Sequence, residues 1–244
     1  MTLSRRELFA LGPLGALMYS SEAEASPKMT TEIKVWGRNH AFILHAENNA
    51  YRSRMVQAVD CTGRAFATPQ EVLDVTRAYA AFNGSLFEPD GSPSAFYMTR
   101  GKKVKGVVKG RWGGVLYSDK SERLKIIPTS ELERNIGGMT SGMQGSLLVY
   151  EGRKQFGPEV EERLVPRTLV GLNSGGVVAV VFKSTNFQMG AEYMQQSHGC
   201  KEVIALDGGP SSSAYDRNGE KSSRAGDKPE VAIPNFLVFY NKSA

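Results

Sequence analysis

The chain has 244 residues, of which 41% are apolar, and a formal charge of +5. That length is enough for a full hydrophobic core in one or two domains. The charge is scattered, with runs only at 100–105 and 221–228 and no basic face interleaved with aromatics, which argues against nucleic acid as a partner.

The N-terminus reads as an address. Arg5 and Arg6 precede an apolar run at 8–18, and Ala23-Glu24-Ala25 supplies a small-residue cleavage site. The run falls short of the ~20 residues that a membrane span needs. Residues 1–25 are therefore expected to be a twin-arginine-type signal peptide. Residues 26–244 then form one mature domain, periplasmic or secreted, with no stable membrane span. In that compartment Cys61 and Cys200 are able to pair, and their spacing leaves open whether they meet.

Residues 33–36, 40–45 and 55–59 carry strand patterns. Thr68-Pro69-Gln70-Glu71 is a helix start, with Thr68 as N-cap, Pro69 first in the helix and Glu71 closing a capping box. The apolar face runs on through Val72, Val75, Thr76, Tyr79 and Ala80 and predicts a helix to that point. Asn83-Gly84 and Asp90-Gly91 then mark two turns. Strands and glycine turns follow from 96 to 116, with Lys102 and Lys103 on a solvated hairpin. A short helix is expected over 129–134 and a buried strand over 144–152. Two strands around Asn173-Ser174-Gly175-Gly176 make a hairpin that begins at Arg167 and Thr168. A helix over 187–197 leads into the next strand, a polar hairpin or loop is expected over 216–228, and an apolar strand over 231–240 closes the chain. Strands outnumber helices, so the expected class is α+β: a single domain with a large mixed β-sheet, a few helices and a site on loops at strand ends.

The most informative stretch is Val203-Ile204-Ala205-Leu206-Asp207-Gly208-Gly209-Pro210-Ser211-Ser212-Ser213. Four apolar residues predict a buried strand that delivers Asp207 to its end. Gly208 and Gly209 allow close ligand approach, and the serines offer hydroxyl and N–H donors. A plain strand followed by a turn is the competing reading.

Four stretches together resemble the phosphodiester glycosidase family. They are Ala81 to Phe87 with Asp90-Gly91, Gln144 to Val149, Arg167-Thr168 before a glycine hairpin, and Leu206 to Ser212. Ser85 and Pro210 stand where the family usually has glycine. The resemblance implies hydrolysis of a sugar-1-phosphodiester, N-acetylglucosamine-1-phosphodiester-like, at the glycosidic bond. The leaving phosphomonoester lessens the need for a strong general acid. Charge stabilisation on the phosphate and a carboxylate at the anomeric carbon are still required. Arg167 and Asp207 are the expected catalytic residues in those roles. Asn83, Gly84, Thr168, Gly208, Gly209, Ser211 and Ser212 are the expected substrate-binding residues, with Glu88 and Asp90 as reserve carboxylates. The expected partner is a glycosyl phosphodiester or an envelope glycan.

No zinc-protease, nucleophile-elbow or phosphate-loop motif occurs. No cofactor or metal is expected, although Asp207 with nearby carbonyls can suit a divalent cation. Two alternatives remain open at this point. One is a non-catalytic envelope protein binding glycans or sugar phosphates. The other is a serine esterase drawn from Ser211, Ser212 or Ser213, with Ser212, His198 and Asp207 as a possible triad.

Overall fold

The computed structural model describes residues 28–36, 39–110, 113–156, 163–218, 221–222 and 231–242. The expected signal peptide and most of the polar 216–228 loop lie outside the described residues.

The chain opens with β1 (Met29–Trp36), β2 (Asn39–Glu47) and β3 (Tyr51–Gln57), followed by α1 (Ala58–Thr62) and α2 (Pro69–Thr76). Next come β4 (Ala80–Asn83), the hairpin β5 (Tyr97–Thr99) and β6 (Lys102–Lys105), then β7 (Gly114–Asp119) and β8 (Leu124–Pro128). The short helix α3 (Leu132–Asn135) leads to the long β9 (Met139–Tyr150) and the two-residue β10 (Arg153–Lys154). The hairpin β11 (Val165–Asn173) and β12 (Gly176–Thr185), α4 (Phe187–His198) and β13 (Glu202–Gly208) follow. The chain ends through β14 (Ala214–Asp216), β15 (Lys221–Ser222) and β16 (Asn235–Asn241).

These strands form two sheets. The larger has eleven strands, with β1-β2-β12-β11-β13-β9-β5-β6 as its main path, and the smaller is β15-β14-β4-β16-β3. The α+β class and the large sheet are as expected, and every described pairing is antiparallel. The side-chain period of two sorts β12 and β13 between two cores. Val177, Ala179, Val181, Ile204 and Leu206 face the small sheet and meet Met55, Phe82, Leu237 and Phe239. Val178, Val180, Val203 and Ala205 face the other way and are covered by Ala191 and Met194 of α4. The outer face of the small sheet is covered by α2 through Val72 and Leu73. The result is four layers: helix, small sheet, large sheet, helix.

Local signals explain most element ends. The Thr68 hydroxyl accepts from Glu71 N at 3.3 Å while the Glu71 carboxylate accepts from Thr68 N at 2.8 Å, the reciprocal cap read from the sequence. The helix does not reach Ala80, however. It stops at Thr76, with Arg77 in a left-handed conformation, because Ala80 is drawn into β4, whose four residues are all buried between β14 and β16. Tertiary pairing overrides helical periodicity here. The β5–β6 turn has positive φ at both Arg100 and Gly101, which suits the twist of a two-residue hairpin. Cys61, half-buried on α1, and Cys200, in the core beneath α4, are both free.

Candidate active site

The end of β13 carries the site. Register places Arg167 opposite Gly208, whereas Leu169 lies opposite Ala205. One extra residue therefore sits on β13 between these pairs, a β-bulge. Arg167 follows the α4-facing parity of Leu169, and its guanidinium stacks on the Phe187 ring at 4.2 Å. Asp207 lies within the bulged stretch, next to the Gly208 that Arg167 opposes, and its carboxyl feels the charge of the guanidinium.

Gly208 makes room for this. A Cβ there would lie 2.9 Å from an Arg167 terminal nitrogen and 3.3 Å from the Pro166 carbonyl. Gly209 has φ +60°, the left-handed region that favours glycine. The chain then makes a 3₁₀ turn over Gly209–Ser211, with Pro210 exposed on it. The proline suits the first turn of a helix, where its missing N–H is not needed.

Asp207 is only 8% exposed. Burial pushes its carboxyl above the ordinary carboxylate range, opposed by a Ser211 hydrogen bond, the Gly208 N–H and the charge of Arg167. The Gly208 N–H donates to Asp207 Oδ1 at 2.8 Å. An acid desolvated in this way, yet held by donors, is a candidate for a functional position by the logic of tuned carboxylates.

Behind Asp207 is a buried clamp centred on Asn83, at the end of β4. Asn83 Nδ2 donates to the Asp207 carbonyl at 2.8 Å and the Gly84 carbonyl at 3.4 Å. Its Oδ1 accepts from Thr168 Oγ1 at 2.5 Å and Ser213 N at 3.1 Å. All four hydrogen-bonding positions of the amide are thereby used. Asn83 and Thr168 are both fully buried. Both were expected to bind substrate; the structure instead puts them behind the acid, where they fix the ends of β4, β11 and β13 to one another. Gly84 belongs to the same framework. Its carbonyl accepts from Asp207 N at 3.0 Å, and a Cβ on it would lie 2.0 Å from Asn235 Oδ1.

Asn235 was not singled out by sequence reasoning. It is 1% exposed and accepts from Ser85 N at 2.7 Å. Its signal was a carboxamide inside an otherwise apolar closing strand. Ser85, one of the two departures from the family pattern, is thus a framework residue.

The remaining candidates separate clearly. Gly208 lies beside the guanidinium, Gly209 has open space around it, and Ser211 hydrogen-bonds the Asp207 carboxylate. Ser212 is fully buried, and its Oγ has no partner among the described residues. Glu88 and Asp90 lie in an exposed turn, where Asp90 accepts from Ser92 N at 2.8 Å, and Ser92 holds its carboxyl below the ordinary range. His198 ends α4 at the opposite end of β13 and packs on His45 and Tyr193 at centroid distances of 5.1 and 5.0 Å. Six residues of strand, roughly 20 Å, separate that end from Asp207, so the Ser212–His198–Asp207 triad does not form. Among the described residues no three His, Cys, Asp or Glu side chains converge as a metal site, and no helix is long and apolar enough to cross a membrane.

The profile of the phosphodiester glycosidase family matches residues 76–240, more than half of the chain. That span includes Asn83, Arg167, Asp207 and Asn235. No curated protein matches by sequence. Among solved structures, the catalytic domain of zebrafish N-acetylglucosamine-1-phosphodiester alpha-N-acetylglucosaminidase, auto-inhibited by its pro-peptide, is similar with a TM-score of 0.68 and 14% identity, covering 89% of this chain and 85% of that one. A hypothetical protein from Synechocystis is similar with a TM-score of 0.61 and 12% identity, over 87% of this chain and 62% of that one. A protein from Burkholderia pseudomallei whose description proposes export has a TM-score of 0.62 and 11% identity, over 83% and 74%.

Proposed function

The chain belongs to the phosphodiester glycosidase family, and on that premise we propose that it is an exported hydrolase of sugar-1-phosphodiesters, N-acetylglucosamine-1-phosphodiester-like. The observation that carries this reading is the Arg167 guanidinium lying against Gly208, next to the buried Asp207 whose carboxyl feels its charge. A buried acid facing a stacked guanidinium suits a substrate with an anionic leaving group beside an electrophilic carbon.

In this reading Arg167 holds the phosphate oxygens. Its planar fork matches two of them, and the Phe187 ring keeps it oriented. Negative charge grows on the bridging oxygen as the bond from the anomeric carbon breaks, and the guanidinium stabilises it there. Asp207 faces the anomeric carbon. A carboxyl raised by burial is the better proton acceptor, so it takes the proton of the attacking water, whose oxygen bonds to the anomeric carbon. The products are a free sugar and a phosphomonoester. The Asn83 clamp acts on this chemistry through the Asp207 backbone. Export follows from the Arg5-Arg6 signal pattern, and the Burkholderia neighbour is consistent with it.

The test is activity of the purified protein, lacking residues 1–25, on a panel of sugar-1-phosphodiesters, with Asp207→Asn and Arg167→Ala as controls. Sugar release by the parent, abolished in both variants while their fold persists, is the expected result. Full activity in both variants would sink these roles. Calorimetric binding of sugar phosphates without turnover across the panel would leave a glycan-binding protein instead.

A further inference from the structure

The small sheet has two ends, and only one of them faces Asp207. Asn83, Ser213 and Asn235 mark that end. The strands pair antiparallel, with Ala80 opposite both Asp216 and Phe239, so Tyr79, Arg217 and Tyr240 gather at the other end. Four to five residues of strand put the two ends roughly 15 Å apart.

A cavity of about 460 Å³ opens at this far end, lined by Arg52, Arg54, Arg77, Arg217, Tyr79 and Tyr240 among others, with Glu122 the one lining carboxylate among the described residues. It shares Arg54, Thr76, Glu122 and Tyr240 with a second cavity of about 400 Å³, to which Arg100 and Asp60 contribute. Glu122 pairs with Arg54 and, at 4.0 Å, with Arg52. Arg77 and Arg217 form no ion pair among the described residues, and both are exposed. Arg217 is nevertheless held in place: its Nε donates to the Ala78 carbonyl at 2.8 Å, and its N–H donates to the Tyr79 carbonyl at 3.0 Å. The Arg54 guanidinium lies over the Tyr240 ring at 5.8 Å. Among the described residues, four guanidinium groups stand against one carboxylate, between two tyrosines, and concentrate positive field in a concave place. Arginine forks match phosphate oxygens two at a time, and tyrosine rings offer an apolar face to a sugar ring.

We infer that this trough is a second binding site, separate from the catalytic pocket, for a phosphate-bearing glycan chain. It takes its ligand class, though not its geometry, from the function proposed above. The site anchors the protein on a polymer whose phosphodiester links the other end of the sheet reads one at a time. Arg77 and Arg217 carry the phosphate, and Tyr79 and Tyr240 pack on the adjoining sugar.

The experiment is fluorescence anisotropy with a labelled oligomer of three phosphodiester-linked N-acetylglucosamine units, using the Asp207→Asn protein so that the probe stays intact. Replacing Arg77 by Asn and Arg217 by Gln together is expected to weaken binding about tenfold or more, as loss of charge-assisted phosphate bonds does. The same pair of changes in the active protein should leave hydrolysis of a monomeric sugar-1-phosphodiester unchanged. Arg77→Asn alone repeats the test if the double variant fails to fold, since Asn tolerates the left-handed backbone at 77. Oligomer binding unaffected by either variant overturns the site, as does an oligonucleotide of equal phosphate count bound as tightly. Arg77-dependent binding without hydrolysis of any substrate would instead overturn the proposed activity and leave this site standing.

Discussion

Asn83→Ala isolates the role of the buried clamp. The substitution removes the partner of Thr168 Oγ1, of Ser213 N and of one bond to the Asp207 carbonyl, at 2.5, 3.1 and 2.8 Å, all in the dry interior. Each polar group left behind costs about 1–3 kcal/mol. Allowing for partial relaxation, the total is about 3–5 kcal/mol, large for a single residue. For a chain of this size each kcal/mol lowers the melting temperature by about 2–4 °C, so calorimetry should find a drop of roughly 10 °C. Thr168→Val removes one of the three bonds and should cost about 1–1.5 kcal/mol. Combined in a double-mutant cycle, the two should show a coupling of about 1 kcal/mol, because they share a bond. Kinetics at a temperature where the variant is folded should show kcat falling more than about tenfold with KM little changed, because the Asp207 carbonyl loses its anchor. Asn83→Ala within about 1 kcal/mol of the parent, or a raised KM at constant kcat, would refute the clamp and return Asn83 to the substrate.

Three further outcomes follow from the same geometry. Gly208→Ala has an ordinary extended backbone to occupy but pushes against the Arg167 guanidinium; activity should fall about tenfold or more, with thermal stability changed by less than about 1 kcal/mol, and full activity would show that the guanidinium need not lie over Gly208. Asp207→Asn should be more stable than the parent at pH 7, by about 1 kcal/mol. Its folded carboxyl is raised by burial, so the unfolded chain ionises first and stability is lost as pH rises from the ordinary value through the folded one; urea titration at pH 4 and pH 7 reads the difference, and an equal gain at both would contradict it. Burial and the charges of His45 and Lys34 lower His198 from 6.5 to about 4. The unfolded chain therefore takes that proton first, and stability falls by up to about 1.4 kcal/mol per pH unit between those values on acidification. His198→Gln should flatten that slope, and an unchanged slope would assign it elsewhere.

What the sequence disclosed, and what it withheld, follows from the range of each interaction. The cap at Thr68 and Glu71, the 173–176 hairpin and the buried strand ending at Asp207 are local and were legible. The early end of α2 was not, because Ala80 is claimed by strands more than a hundred residues away. The identities of Arg167 and Asp207 as a pair came from residue type and order, whereas the bulge that sets Arg167 against Gly208 rather than Asp207 shows only in the strand register. Asn83 was rightly marked as unusual, but its role depends on partners 85, 124 and 130 residues distant. Asn235 escaped notice because a lone polar residue in an apolar strand is a weak local signal.

The bulge on β13 also bears on how this site can change over generations. In a strand, a shift of one residue sends every side chain to the opposite face. Deleting a single codon between Val203 and Asp207 would swing the acid away from Arg167 and toward the inter-sheet core, among the apolar neighbours of Leu206. Length variation is thus closed to β13 as a route to new substrates. Diversification is left to point replacements on the turn beyond it, and Pro210 stands on that turn.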